Sequence, residues 1–170
     1  ITGAIDATDI ADADFARITS VETLKLAAGG NDEVVLATNA NTTGIVTVIG
    51  GTGVDKVNIN TGATSYQGGG GADVLTILDT RTTGITVTNS GADMDIVADF
   101  FDSATRWEAA AEASAAAVDA DGEWFLDTAA DVLYLWNAEL GTPAQVAITL
   151  TGVVSVTSND SATLDIDFTA

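Results

Sequence analysis

The sequence predicts a mainly all-β chain whose first hundred residues wind into two stacked sheets, and three observations carry that expectation. The apolar segments between residues 21 and 99 are short and rich in β-branched residues: EVVLA, GIVTVIG, DKVNI, DVLTI and GITVT. Each is too short for a helix and reads as a strand. Two kinds of turn alternate between these strands. One carries an acid, at Gly30-Asn31-Asp32, Gly53-Val54-Asp55, Gly71-Ala72-Asp73 and Gly91-Ala92-Asp93; the other carries Thr-Gly, at Thr43-Gly44, Thr61-Gly62 and Thr83-Gly84. The intervals are regular: the aspartates recur after 23, 18 and 20 residues, and NTTGIVTV at 41–48 returns as RTTGITVT at 81–88. A cycle of about twenty residues, with two strands and two turns, is the signature of a coil that stacks on itself. Stacking puts every Asp turn on one edge and every Thr-Gly turn on the other.

Composition narrows what such a chain can do. Its 170 residues include 25 Asp and Glu against 5 Lys and Arg, a formal net charge of −20. A nucleic-acid interface needs clustered basic residues, and an anionic membrane surface repels this chain, so both are excluded as partners. The 46% of apolar residues and a mean hydropathy of +0.29 argue for a packed core rather than disorder. Folding must then overcome self-repulsion, which bound cations relieve. With neither Cys nor His, the chain has no thiol nucleophile, disulfide, His-based triad or Cys/His zinc site. No apolar run approaches the length of a membrane span. ITGAIDATDI at the start has neither a basic nor an apolar leader region. It also lacks an initiator Met, so residue 1 is expected inside a longer precursor or after a cleavage.

Composition shifts after Phe101. DSATRWEAAAEASAAAVDADG brings the Ala and Glu that were scarce before, with Thr105 and Glu108 spaced as a capping box. A helix is expected over about 106–118, ended by Asp119-Ala120-Asp121-Gly122. EWFLD and VLYLWN flank TAAD as a hairpin, and QVAITLTGV and ATLDIDFTA supply further strands. The expected division is a stacked domain over 1–100 and a helix-plus-hairpin cap over 101–170, since an elongated stack must cover its last apolar layer.

The glycine-rich Asp turns carry the chemistry. Glycine takes positive φ without steric cost and lets backbone carbonyls turn inward. Several carbonyls and a carboxylate form the hard oxygen shell that Ca²⁺ prefers, with six to eight ligands. One turn supplies about half a shell, and its copy one coil further supplies the rest. The expected metal ligands are therefore Gly50, Gly51, Thr52, Gly53 and Asp55 in one turn with Gly68, Gly69, Gly70, Gly71 and Asp73 in the next. Outer, degenerate sites are expected at Gly30 with Asp32 and at Gly91 with Asp93.

GGTGVDKVN and GGGGADVLT both match the pattern G-G-x-G-x-D-x-U-x and so resemble the RTX nonapeptide of calcium-binding β-rolls. AAGGNDEVV at 27–35 keeps Gly30, Asp32 and Val34, and TNSGADMDI at 88–96 keeps Gly91 and Asp93 but puts Asp95 at an apolar position. ITSVETLKLAAGGNDEVVLA at 18–37 resembles segments of bacterial S-layer proteins built on RTX rolls. The stretch from FLDTAADVLYLWN to the C-terminus is similar to the tail that follows RTX repeats in type I secretion substrates. These resemblances imply a right-handed parallel β-roll, bound Ca²⁺ and folding after export from a Gram-negative bacterium. They also imply an extracellular or cell-surface location, with an export signal region at the C-terminus and Ala170 as a candidate native end.

Competing readings are weaker. Plain β-turn punctuation explains Asp in a turn but not two full motif copies eighteen residues apart. A phosphate cradle at GGGGAD lacks the following Lys, and Asp119-Ala120-Asp121-Gly122-Glu123 lacks the remaining ligands of an EF-hand. Thr42, Thr43, Thr82 and Thr83 suggest an ice-binding face only if they form ordered ranks. Trp107, Trp124, Phe125, Tyr134 and Trp136 read as cap core, with a carbohydrate platform as the minority option. No pair of carboxylates is singled out for glycoside hydrolysis, and no zinc-binding helix or nucleophile elbow occurs. The expectation is a non-enzymatic, calcium-binding structural protein of S-layer or surface-fibre type. Its partners would be copies of itself, with cell-surface polysaccharide as a further candidate. The alternative is a calcium-stabilised adhesin, or the C-terminal secretion module of a larger exported enzyme.

Overall fold

The structure, a computed structural model, describes residues 10–59, 65–77, 85–88, 94–98, 111–120, 122–137, 144–158 and 163–168. Within them the protein is mainly β, and both of its sheets are mixed. The first eight strands are β1 (Thr23–Lys25), β2 (Glu33–Leu36), β3 (Thr47–Ile49), β4 (Lys56–Ile59), β5 (Ser65–Gln67), β6 (Asp73–Ile77), β7 (Ile85–Thr88) and β8 (Met94–Ala98). The last five are β9 (Trp124–Asp127), β10 (Val132–Asn137), β11 (Ala144–Thr151), β12 (Val153–Ser158) and β13 (Thr163–Phe168).

Successive strands up to β8 go to opposite sheets. The odd-numbered four pair in parallel as β1-β3-β5-β7, and β11, β10 and β9 extend that sheet to seven strands. The even-numbered four pair in parallel as β2-β4-β6-β8, extended by β13 and β12 to six. The pairings β9–β10, β10–β11, β8–β13 and β12–β13 are antiparallel. Residues on both sides of position 100 thus share the same two sheets.

Period-two patterning decides which face is buried. In β6, Asp73, Leu75 and Ile77 are buried while Val74 and Thr76 are half-exposed. Register lines the inward residues into ranks: Val34, Val57, Leu75, Ile96 and Leu164 across one sheet, and Leu24, Val48, Tyr66, Val87 and Leu150 across the other. All but the half-buried Leu24 are buried, and both ranks belong to one hydrophobic core. The outward face of the seven-stranded sheet carries a hydroxyl rank instead, Thr23, Thr47, Ser65, Thr86 and Thr149. Thr42 and Thr43 lie elsewhere, in a helix, and Thr82 and Thr83 fall outside the described residues.

That helix, α1 (Thr38–Thr43), stands where only a Thr-Gly turn was expected, and Gly44 ends it at φ 98°. Its capping acid comes from far back in the chain. Asp12 Oδ1 accepts from the Ala37 and Ala40 amides at 2.8 and 3.0 Å, and Oδ2 accepts from the Asn39 amide at 3.0 Å. Thr43 is buried and its hydroxyl donates within the helix to the Asn39 carbonyl at 2.9 Å, with the Phe15 and Ile18 carbonyls as alternative acceptors at 3.2 Å. A six-residue helix without large apolar residues forms because tertiary contacts hold its ends.

The helix expected over 106–118 is not found in its described part. Residues 111–120 hold a single 3₁₀ turn, Ala115–Ala117; residues 106–110, and Thr105 of the capping box, lie outside the described residues. Alanine propensity loses here because the segment has no apolar stripe to bury. It lies instead against the C-terminal strands: the Glu112 amide donates to the Trp124 carbonyl at 2.8 Å, and Gln145 Nε2 donates to the Ala115 and Val118 carbonyls. The acid-rich turn after it closes on itself, with the Glu123 carboxylate accepting from the Asp119 and Ala120 amides at 2.7 and 2.8 Å. The hairpin β9–β10 places Trp124 in the core and stacks Phe125 on Tyr134, ring centroids 6.2 Å apart.

Candidate metal centre

Parallel register builds the site. Because β2, β4 and β6 pair in step, the residues just before or at their starts, Asp32, Asp55 and Asp73, stack along one edge of the six-stranded sheet. All three are buried, at 3%, 0% and 0% exposure. Two of the carboxylates reach the coil before them: Asp55 Oδ1 accepts from the Asp32 amide at 3.2 Å, and Asp73 Oδ1 from the Asp55 amide at 3.0 Å. Asp55 Oδ2 also accepts from Gly51 within its own turn at 2.7 Å, and Asp32 Oδ2 from Ala27 at 2.9 Å. The result is a ladder of acids, each rung fastened to the next by a backbone N–H.

The ladder is incompletely satisfied. Among the described residues, Asp32 Oδ1, Asp73 Oδ2 and the Tyr66 hydroxyl are buried without a hydrogen-bond partner. A buried acceptor left without a donor is costly, and a buried charge more so. Burial pushes the Asp73 carboxyl up to about 6; the Asp55 amide opposes this and the Asp55 charge adds to it. Burial likewise raises Asp55, opposed by the Gly51 and Asp32 amides and helped by the Asp32 charge. Tyr66, inward-facing on the opposite sheet, is raised by its burial and then by the charges of Asp73 and Asp55. Its hydroxyl therefore sits within the field of the ladder, which sequence reasoning missed. The alternation of β5 marks Tyr66 as inward-facing, but not what it faces.

The glycines are required by close approach. A side chain at Gly69 or Gly71 would collide with the carbonyl oxygen of Gly51 or Gly53 in the turn one coil earlier, and both have positive φ, +95° and +118°. A side chain at Gly50 would meet the Gly68 carbonyl and Asp55 Oδ2. Carbonyls of the two turns thus crowd the space between them, with Asp55 and Asp73 at its inner end. Gly70 has only the Thr52 Cα within 4 Å, at 3.9 Å.

The sequence-derived ligand set therefore divides. Gly50, Gly51, Thr52, Gly53 and Asp55 form one turn, Gly68 to Gly71 with Asp73 the next, and Gly30 with Asp32 the turn before. Gly91 and Asp93 lie outside the described residues. Among the described residues no group of three or more acids gathers around one point. Around the turns at 50–55 and 68–73 stand the Asp73 carboxylate, Asp55 Oδ2 and the Gly51, Gly53 and Gly68 carbonyls, oxygen donors of the kind a hard cation takes. The orphaned Asp73 Oδ2 and the glycine-only cradle both fit such an ion.

Comparison with known proteins gave no match to any family model, curated protein or solved structure.

Proposed function

We propose that this chain is a secreted calcium-binding structural protein whose coils close on Ca²⁺ and which assembles with copies of itself outside the cell. The observation that carries the reading is the buried ladder Asp32–Asp55–Asp73, with Asp73 Oδ2 unsatisfied beside glycine turns whose carbonyls pack where a side chain would stand. Two sheets whose parallel strands alternate along the chain support the finer description of residues 1–100 as an RTX-type β-roll. In this reading Asp55 and Asp73 hold the ion together with carbonyls of their turns. Bound Ca²⁺ supplies the positive charge that a chain of net charge −20 lacks. It binds the folded state only, so stability rises with the logarithm of free Ca²⁺. Low cytosolic Ca²⁺ leaves the roll open for export, and millimolar external Ca²⁺ closes it.

Self-assembly rests on the two mixed sheets, one ending in strands β1 and β9 and the other in β12 and β2, the last partly paired by Ile10; sheet edges are natural contacts for a neighbouring copy. The test is electron microscopy with light scattering on EDTA-stripped protein before and after millimolar Ca²⁺. Ordered sheets or fibres that form with Ca²⁺ and dissolve on chelation are expected. A compact monomer in Ca²⁺ overturns the assembly half of the reading and favours an adhesin or secretion module.

A further inference from the structure

The two steps between successive Asp turns are built differently. Between the turns at 50–55 and 68–73, the Gly70 amide donates to the Gly51 carbonyl at 3.0 Å and the Asp55 amide to Asp73 Oδ1 at 3.0 Å. Between the turns at 27–32 and 50–55, two further side chains cross the gap. Asn31 Oδ1 accepts from the Val54 amide at 2.9 Å, and the Thr52 hydroxyl donates to the Ala28 carbonyl. The Thr52 bridge occupies a carbonyl of the earlier turn that an inter-turn ion could take, and the Asn31 bridge ties down the turn backbone just before Asp55. Asn31 Oδ1 also occupies the space beside Gly53, where a side chain would collide with it and with the Gly30 carbonyl. The matching positions one coil later, Val54 and Gly70, carry no polar side chain and cannot make either bridge.

The coil below is also self-contained. Asp12 caps α1 through three backbone amides, and Ile10 pairs with β2, its amide donating to the Glu33 carbonyl at 3.1 Å and its carbonyl accepting from Val35 at 2.9 Å.

We infer that Asn31 and Thr52 take the place of an ion between the first two described Asp turns, so that residues 10–59 close without divalent cation and form the platform on which the cation-dependent step at 50–55 and 68–73 is built. This rests on the calcium reading for the second step but not for the first, where Asn31 and Thr52 supply the bonds across the gap and Asp32 Oδ1 stays unmatched. The amide of Val54 reports the side-chain lock, and those of Gly70 and Val74 report the next step, since Val74 donates to the Asp55 carbonyl at 2.8 Å.

Amide hydrogen exchange of the full chain in EDTA and in Ca²⁺ separates the two. Val54 and Lys56 are expected to be protected already in EDTA. Gly70 and Val74 should gain protection about a hundredfold when free Ca²⁺ is about a hundred times its Kd. Asn31→Ala should expose Val54 in EDTA while Lys56, held by the Asp32 carbonyl at 2.8 Å, stays protected. If Val54 is open in EDTA and closes together with Gly70 on adding Ca²⁺, the lock is wrong and the calcium reading stands. If Val54 is protected in EDTA and Ca²⁺ changes neither Gly70 nor Val74, the lock stands and the calcium reading fails.

Discussion

Asp73 is the residue on which the account turns, because it is fully buried, accepts one backbone N–H and leaves its second oxygen unmatched. Its raised carboxyl value fixes the sign of a pH effect. Folded Asp73 titrates at about 6 against an ordinary 3.8, so between those values the folded chain holds a proton that the unfolded chain has released. The cation-free protein should therefore lose stability as pH rises through that window, as read by thermal melts in EDTA. Asp12 runs the other way. Burial raises its value, but the amides of Ala40, Asn39 and Ala37 outweigh that and hold it below 3.8. Its contribution is present above 3.8 and disappears as pH falls through the lower folded value. Asp12→Ala should cost about 2 kcal/mol at neutral pH, the upper end for a lost helix cap, and nothing in acid. The glycines give a paired test. Gly71→Ala combines a positive φ with a carbonyl collision and should cost more than about 2 kcal/mol, whereas Gly70→Ala meets only the Thr52 Cα at ordinary contact distance and should melt close to the parent.

At the scale of elements, the strands are held by ranks of inward side chains rather than by local propensity. Leu75 stands between Val57 and Ile96 in its rank and is fully buried. Leu75→Ala should cost about 2–5 kcal/mol in a denaturant titration, while Thr76→Ala, on the outward face, should stay within about 0.5 kcal/mol. The strands and the stacked Asp turns were legible because both depend on short-range pattern: alternation in DVLTI, and glycine next to acid at a fixed interval. What was not legible depends on distant partners. α1 needs Asp12, some 25 residues upstream, to hold its first amides, and nothing in TNANTT announces that. The alanine run at 109–117 has high helix propensity, yet Gln145 and Trp124 engage the backbone of its described part. Asn31 was visible only as the variable position before Asp32. Its meaning depends on the Val54 amide one coil away.

For the molecule as a whole, an excess of twenty negative charges and a buried acid ladder make the same demand. A folded state that collects carboxylates along one edge must meet them with N–H donors, protonate them or bind a cation, since unpaired charges in low dielectric are strongly unfavourable. The proposed sequence of events follows from that demand: the N-terminal coil closes on its own side chains, the cation fastens the next, and strands β9 to β13 complete the two sheets.

The most direct test is a thermal melt near neutral pH of the parent chain and Asp73→Asn, each in EDTA and in millimolar Ca²⁺. Asparagine keeps an acceptor for the Asp55 amide and removes the charge. The account predicts that the parent's Tm rises by about 5–10 °C when Ca²⁺ reaches about a hundred times its Kd. The variant should melt at or above the parent in EDTA and gain nothing from Ca²⁺. An equal Ca²⁺ shift in both proteins, or none in the parent, would contradict it.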